Sequence, residues 1–192
     1  MEKQSIVLGI CASSCNFAKM EPVLRNLVAK YNVIPVISSN ADLPNRFVSM
    51  AEFRKQIIDI TGNPIITDIA GAEKLSSTPG IVATVIMPAT GNTIAKLAHA
   101  ITDTSVTMAA KALLRNGIPC IIGLSTNDAL SGNAANIGTL LNRRNYYFVP
   151  FNMDDHEKKP YSMACNFHLV IETIEYALNG KQIQPIIARK IV

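Results

Sequence analysis

Five short apolar runs constrain the fold of this chain more than any other feature: Ser5–Ile10, Val33–Ile37, Ile81–Met87, Ile118–Leu124 and Tyr146–Pro150. None holds a charge, and they lack the polar alternation of a strand with one wet face. They read as strands covered on both sides. Segments of helical period fall between and after them. Ala18–Lys30 repeats Met20, Leu24, Leu27 and Val28 along one face, and Phe47–Ile60 repeats Phe53, Ile57 and Ile60. Further helices are expected at Thr93–Ile101, Ser105–Arg115, Ala134–Asn142 and Phe167–Asn179. Strands alternating with helices predict an α/β fold with a mostly parallel sheet and helices on both faces. Asn152–Met163 fits neither pattern. It reads as a long loop carrying Asp154, Asp155, His156, Lys158, Lys159 and Pro160, and loops of that length are often functional or mobile.

Length and composition narrow the function classes. A chain of 192 residues suffices for one α/β domain and is short for two, so a single domain over 1–192 is expected. The net charge of +4 is scattered, with no basic stripe interleaved with aromatics, which argues against a nucleic-acid partner. No apolar stretch approaches the ~20 residues of a membrane span, and Met-Glu-Lys-Gln leads straight into the first strand without the pattern of a signal peptide. Cys11, Cys15, Cys120 and Cys165 form no CxxC pair and have no histidine at ligand spacing. Reduced thiols, a cytoplasmic location and no metal site are the expectation.

Chemistry concentrates where the strands end. The Ile81–Met87 run opens into Pro88-Ala-Thr90-Gly-Asn92-Thr93-Ile-Ala-Lys96, a loop of small polar residues entering a helix. Open α/β sheets bind ligands at this carboxyl edge, and a helix N-terminus there favours anions. The first strand ends in Gly9-Ile-Cys-Ala-Ser13-Ser14, the second in Ser38-Ser39-Asn40, and the Ile118–Leu124 strand in Ser125-Thr126-Asn127-Asp128. Four such endings suggest one polar crevice, although turns also favour these residues. Ser13 and Ser14 could hold a phosphate or cap a helix. The first loop has one glycine and no GxGxxG, which disfavours dinucleotide binding. His99 reads as structural, and no GxSxG nucleophile elbow accompanies the serines. Arg46, Lys158 and Lys159 could pair with carboxylates or be solvated loop charges.

Pro88-Ala-Thr-Gly-Asn92-Thr93-Ile-Ala-Lys96 resembles the PAxANTxAK motif of the flavoprotein superfamily that includes the flavin-containing cysteine decarboxylases. Met108-Ala-Ala-Lys111, Leu124–Leu130, Phe148-Val-Pro-Phe151 and Lys158-Lys159-Pro160-x-Ser162-Met163 resemble one branch of it, the dipicolinate synthase B subunits, over nearly the whole chain. The resemblance implies a Rossmann-like three-layer fold, a single flavoprotein-like domain and a homo-oligomer with FMN between subunits. It also implies a cytoplasmic role in the mother cell of a spore-forming bacterium. There, the B subunit would act with a separate A subunit, which carries NAD(P), to oxidise dihydrodipicolinate to dipicolinate. On that resemblance the FMN phosphate is expected at Ser13, Ser14, Ser38 and Ser39, and the ribityl chain or ring at Thr90, Asn92 and Thr93. Ser125, Thr126 and Asn127 would close the crevice, and Arg46, Lys158 or Lys159 would meet the substrate carboxylates. No residue is assigned to catalysis itself. The chain departs from the decarboxylases: it has no histidine before His99, and Ser125–Leu130 stands where they carry PxMNxxM. Two other readings remain, an accessory protein that binds the A subunit without using flavin and an FMN-dependent decarboxylase-like enzyme.

Overall fold

The computed structural model describes residues 3–188; Met1 and Glu2 of the N-terminal run lie outside them. The five apolar runs form strands β1 (Ser5–Ile10), β2 (Asn32–Ile37), β3 (Ile81–Ala89), β4 (Cys120–Thr126) and β5 (Tyr146–Phe148). All five are parallel, in spatial order β2-β1-β3-β4-β5. Helices α1 (Met20–Lys30), α2 (Met50–Thr61), α4 (Gly91–Ala98), α5 (Ser105–Leu114), α6 (Ala134–Leu141) and α7 (Val170–Leu178) supply the crossovers and cover the sheet. The central strands β1, β3 and β4 are buried along nearly their whole length, which accounts for their uninterrupted apolar sequence.

Local chemistry sets several boundaries. Ser49 caps α2 by accepting the amide of Glu52, so the helix starts three residues after Phe47. Gly62 ends it in the left-handed region at φ 68°, a conformation open to glycine at little cost. Thr104 and Thr107 form a reciprocal capping box on α5, while Asp103 pairs instead with Lys96 at 2.8 Å. The residues before Met20 form a 3₁₀ turn, Ser14–Lys19, so α1 is shorter than its periodicity suggests.

Two expectations need correction. A short helix, α3 (Ile69–Lys74), capped by Asp68, is absent from the sequence reading, since six residues are too few to display a period. Asn152–Met163 is not loop throughout. Its ends belong to strands β6 (Phe151–Met153) and β7 (Met163–Cys165), an antiparallel hairpin. Strand β7 pairs antiparallel with the last residues of β4, Ser125 and Thr126, while β5 pairs with the first three. The end of β4 is thereby fastened to the hairpin, and the loop 154–162 is held over the carboxyl edge of the sheet.

Candidate functional site

Strands β1, β3 and β4 are neighbours, so their carboxyl ends converge. The amide of Cys11, just past β1, donates to the Pro88 carbonyl of β3 at 3.3 Å. Between these ends and the β6–β7 hairpin lies a cleft of about 530 Å³, within the usual range for small-molecule sites. Ser13, Ser14, Thr90, Ser125, Thr126 and Asn127 line it together with Lys159. These seven are all residues singled out from the sequence.

Asn16, which sequence reasoning passed over, organises the floor. It is buried, and its side-chain amide donates to the Ser13 hydroxyl at 3.0 Å and to the Ser125 hydroxyl at 2.8 Å. The two hydroxyls are 3.1 Å apart, one donating to the other. Two hydroxyl hydrogens are available and this contact uses one. The Ser13 hydroxyl also lies 3.9 Å from the Cys15 sulfur. Asn16 thus presets the oxygens of two loops more than 100 residues apart in sequence as a donor–acceptor pair. Its sequence signal is faint: one short polar residue three positions after Ser13.

Thr90 caps α4 by accepting the Thr93 amide at 3.4 Å, and its hydroxyl lies 3.1 Å from that of Thr93. Thr93 is buried against Cys11 and, unlike Thr90, does not line the cleft. Burial pushes the Cys11 thiol up to about 11, against the opposing contacts of the Thr93 hydroxyl and the Thr90 backbone. It is a protonated thiol at neutral pH. On the β4 side, the Asp128 carboxylate accepts from Thr126 at 2.5 Å and from Asn133 at 2.7 Å. Gly91 packs against this group so closely that a Cβ there would lie 2.5 Å from atoms of both Asn133 and Asp128. That packing leaves no room for a side chain at position 91.

The hairpin forms the remaining wall. The Ser162 hydroxyl is buried and donates to the Thr126 carbonyl at 3.3 Å or to the Asn127 side-chain oxygen at 3.2 Å. The Tyr161 carbonyl accepts the Leu130 amide at 3.0 Å. Asp154 and Lys159 face each other at 3.6 Å. Partial burial opposes ionisation of Asp154, but the Ser162 hydroxyl, the local backbone and Lys159 outweigh it and hold the carboxyl below its ordinary value. Lys19 and Phe47 complete the rim.

The other expected residues stand elsewhere. Ser38 and Ser39 follow β2, one strand beyond β1, with Ser38 buried and Ser39 exposed; neither lines the cleft. Asn92 is exposed in the first turn of α4 and does not line it either. Arg46 lies 5.0 Å over the Phe47 ring, outside the cleft although Phe47 borders it. Lys158 is exposed on the hairpin loop. Among the described residues, no group of three or more His, Cys, Asp or Glu side chains could hold a metal ion, and no helix is long and apolar enough to cross a membrane.

The chain matches the family model described as Flavoprotein over residues 1–166. It is 41% identical to the dipicolinate synthase B subunit of Bacillus subtilis (strain 168) over 189 residues, covering 97% of this chain and 94% of that protein. The crystal structure of the dipicolinate synthase B subunit from Bacillus halodurans C superposes with a TM-score of 0.90 at 36% identity, covering 98% of each chain. The FMN-dependent cysteine decarboxylase SpaF shares the fold, with a TM-score of 0.67 at 22% identity over 91% of this chain and 97% of that one.

Proposed function

Because this chain belongs to the flavoprotein family, we propose that it works as the B subunit of a dipicolinate synthase, with FMN seated at the carboxyl edge of its sheet. The observation that carries the reading is the convergence of three strand ends on a cleft of about 530 Å³ lined by hydroxyls and amides. The donor set suits the group. Ser13, Ser14 and the capped start of α4 at Thr90 offer hydroxyl and backbone donors to a phosphate. Thr126 and Asn127 offer polar edges to a ribityl chain or heterocycle. No carboxylate intrudes unpaired, because Asp154 faces Lys159.

When bound, FMN would supply a two-electron acceptor for the oxidation of dihydrodipicolinate. The chain's own residues bind and orient. The Asn16-directed pair Ser13–Ser125 presents two hydroxyls at the cleft floor. Lys19, at the rim, would meet one carboxylate of the substrate, while Lys159 stays paired with Asp154. The Ser162-latched hairpin walls one side of the cleft. An A subunit would carry NAD(P) as the further acceptor, which fits the lack of a GxGxxG loop in this chain.

The test is an absorbance spectrum and FMN titration of the purified chain, with and without the A subunit and dihydrodipicolinate. Bound flavin that bleaches on addition of substrate is the expected outcome. If no flavin binds and dipicolinate still forms only with both proteins present, the chain is an accessory component. Release of carbon dioxide from a thiol-bearing substrate would make it a decarboxylase instead.

A further inference from the structure

The opposite edge of the sheet, where β4 and β5 begin, holds a second cavity, of about 350 Å³, between the ends of α4 and α5 and the start of β5. Three cations line it: Lys111 and Arg115 from α5 and its end, and Arg143 from the segment before β5. No Asp or Glu lines it among the described residues. The nearest acid in sequence, Asp103, is engaged by Lys96. The cations of α5 suit the negative end of their own helix. Arg143 comes from another segment, and it donates one N–H to the Leu97 carbonyl at 3.1 Å, which holds its guanidinium at the cavity. Arg115 donates to the neutral Ser76 hydroxyl at 2.8 Å.

All three cations are exposed, and the lining beneath them is apolar. Leu97 and Leu114 give an apolar floor, and the Tyr146 phenol sits at the mouth of β5. Burial holds that phenol well above its ordinary range, so it is a donor at any physiological pH. Ala100, on the rim, has φ 58°, a left-handed conformation that costs energy in any residue with a Cβ. An anion entering here would meet three cations and no competing carboxylate among the described residues.

We propose that this cavity is a second ligand site, separate from the flavin cleft, that takes a compact aromatic dicarboxylate as an effector. The cations would meet the two carboxylates, with Arg143 able to donate to one of them, and the leucines would meet the ring. The choice of an aromatic dicarboxylate rests on the synthase reading, whose product belongs to that class.

The experiment is calorimetric titration of the full-length chain with pyridine-2,6-dicarboxylate in metal-free buffer, alongside inorganic phosphate and FMN. The expected result is binding that the double substitution Lys111→Gln with Arg143→Gln weakens about tenfold or more, with FMN affinity and the effect of Ser125→Ala unchanged. No binding to the native chain would overturn the proposal, as would loss of binding only on Ser125→Ala, which would place the ligand in the cleft. Equal binding of phosphate would overturn the aromatic part. A change in oligomer mass in the double variant, without anion binding, would overturn it too and assign the cavity to a contact between copies. The FMN arm reports on the synthase reading independently, so failure of one is distinguishable from failure of the other.

Discussion

At the scale of single residues, the cleft depends on Asn16 more than on any serine it contains. A serine lost from the floor removes one ligand contact. Removal of Asn16 leaves two hydroxyls, just past β1 and on β4, without their common donor. We expect Asn16→Ala to destabilise the fold by about 1–3 kcal/mol, read from the midpoint of denaturant unfolding. FMN affinity should fall roughly tenfold or more in the folded variant, as the Ser13–Ser125 pair loses its fixed direction. Unchanged affinity in a folded Asn16→Ala protein would mean that the flavin phosphate lies elsewhere.

At the scale of elements, the β6–β7 hairpin is tied to β4 by few contacts. Strand β7 holds β4 through only two residue pairs, Ser125 with Ala164 and Thr126 with Met163. The latch at Ser162 and the Asp154–Lys159 pair add polar contacts. Ser162→Ala should speed limited proteolysis within residues 154–161 roughly fivefold, the factor for a hydrogen bond worth about 1 kcal/mol. The latch also carries a pH dependence with a defined sign. The folded-state value of Asp154 lies below the unfolded one, so its contribution is complete above about pH 4 and fades as pH falls through the folded value. Hairpin protection should stay flat from neutrality to about pH 5 and weaken only in stronger acid, and Asp154→Asn should remove that acid limb. A drop between about pH 6 and 7, the histidine range, would point to another group.

At the scale of the whole molecule, the core is one continuous apolar cluster from both helical layers through the sheet, and it decides which cysteines react. Cys11, Cys120 and Cys165 are buried, and burial raises each thiol, Cys11 to about 11 and Cys165 to about 12. Cys15 alone is exposed, at the rim of the cleft. A thiol reagent at neutral pH should label one cysteine in the native protein and all four in denaturant, by intact mass. FMN should protect that one site, and labelling of Cys11 in the native state would show that the β1–β3 junction opens.

The sequence by itself determined the parallel sheet, because strands buried on both faces must be apolar throughout and so stand out as Ser5–Ile10 or Ile81–Met87. It also determined that polar residues gather where β1, β3 and β4 end, since chain direction in a parallel sheet puts those endings on one edge. It could not order the strands, and the order decides membership of the cleft. Ser38 and Ser39 look like Ser13 and Ser14 in sequence, yet β2 lies beyond β1 and carries them away from the site. Antiparallel β6 and β7 escape notice in the sequence because three-residue strands are too short to display a period. Asn16 and Ser162 became legible only in three dimensions, because a hydrogen bond across more than 30 or 100 residues depends on tertiary packing and leaves no local trace.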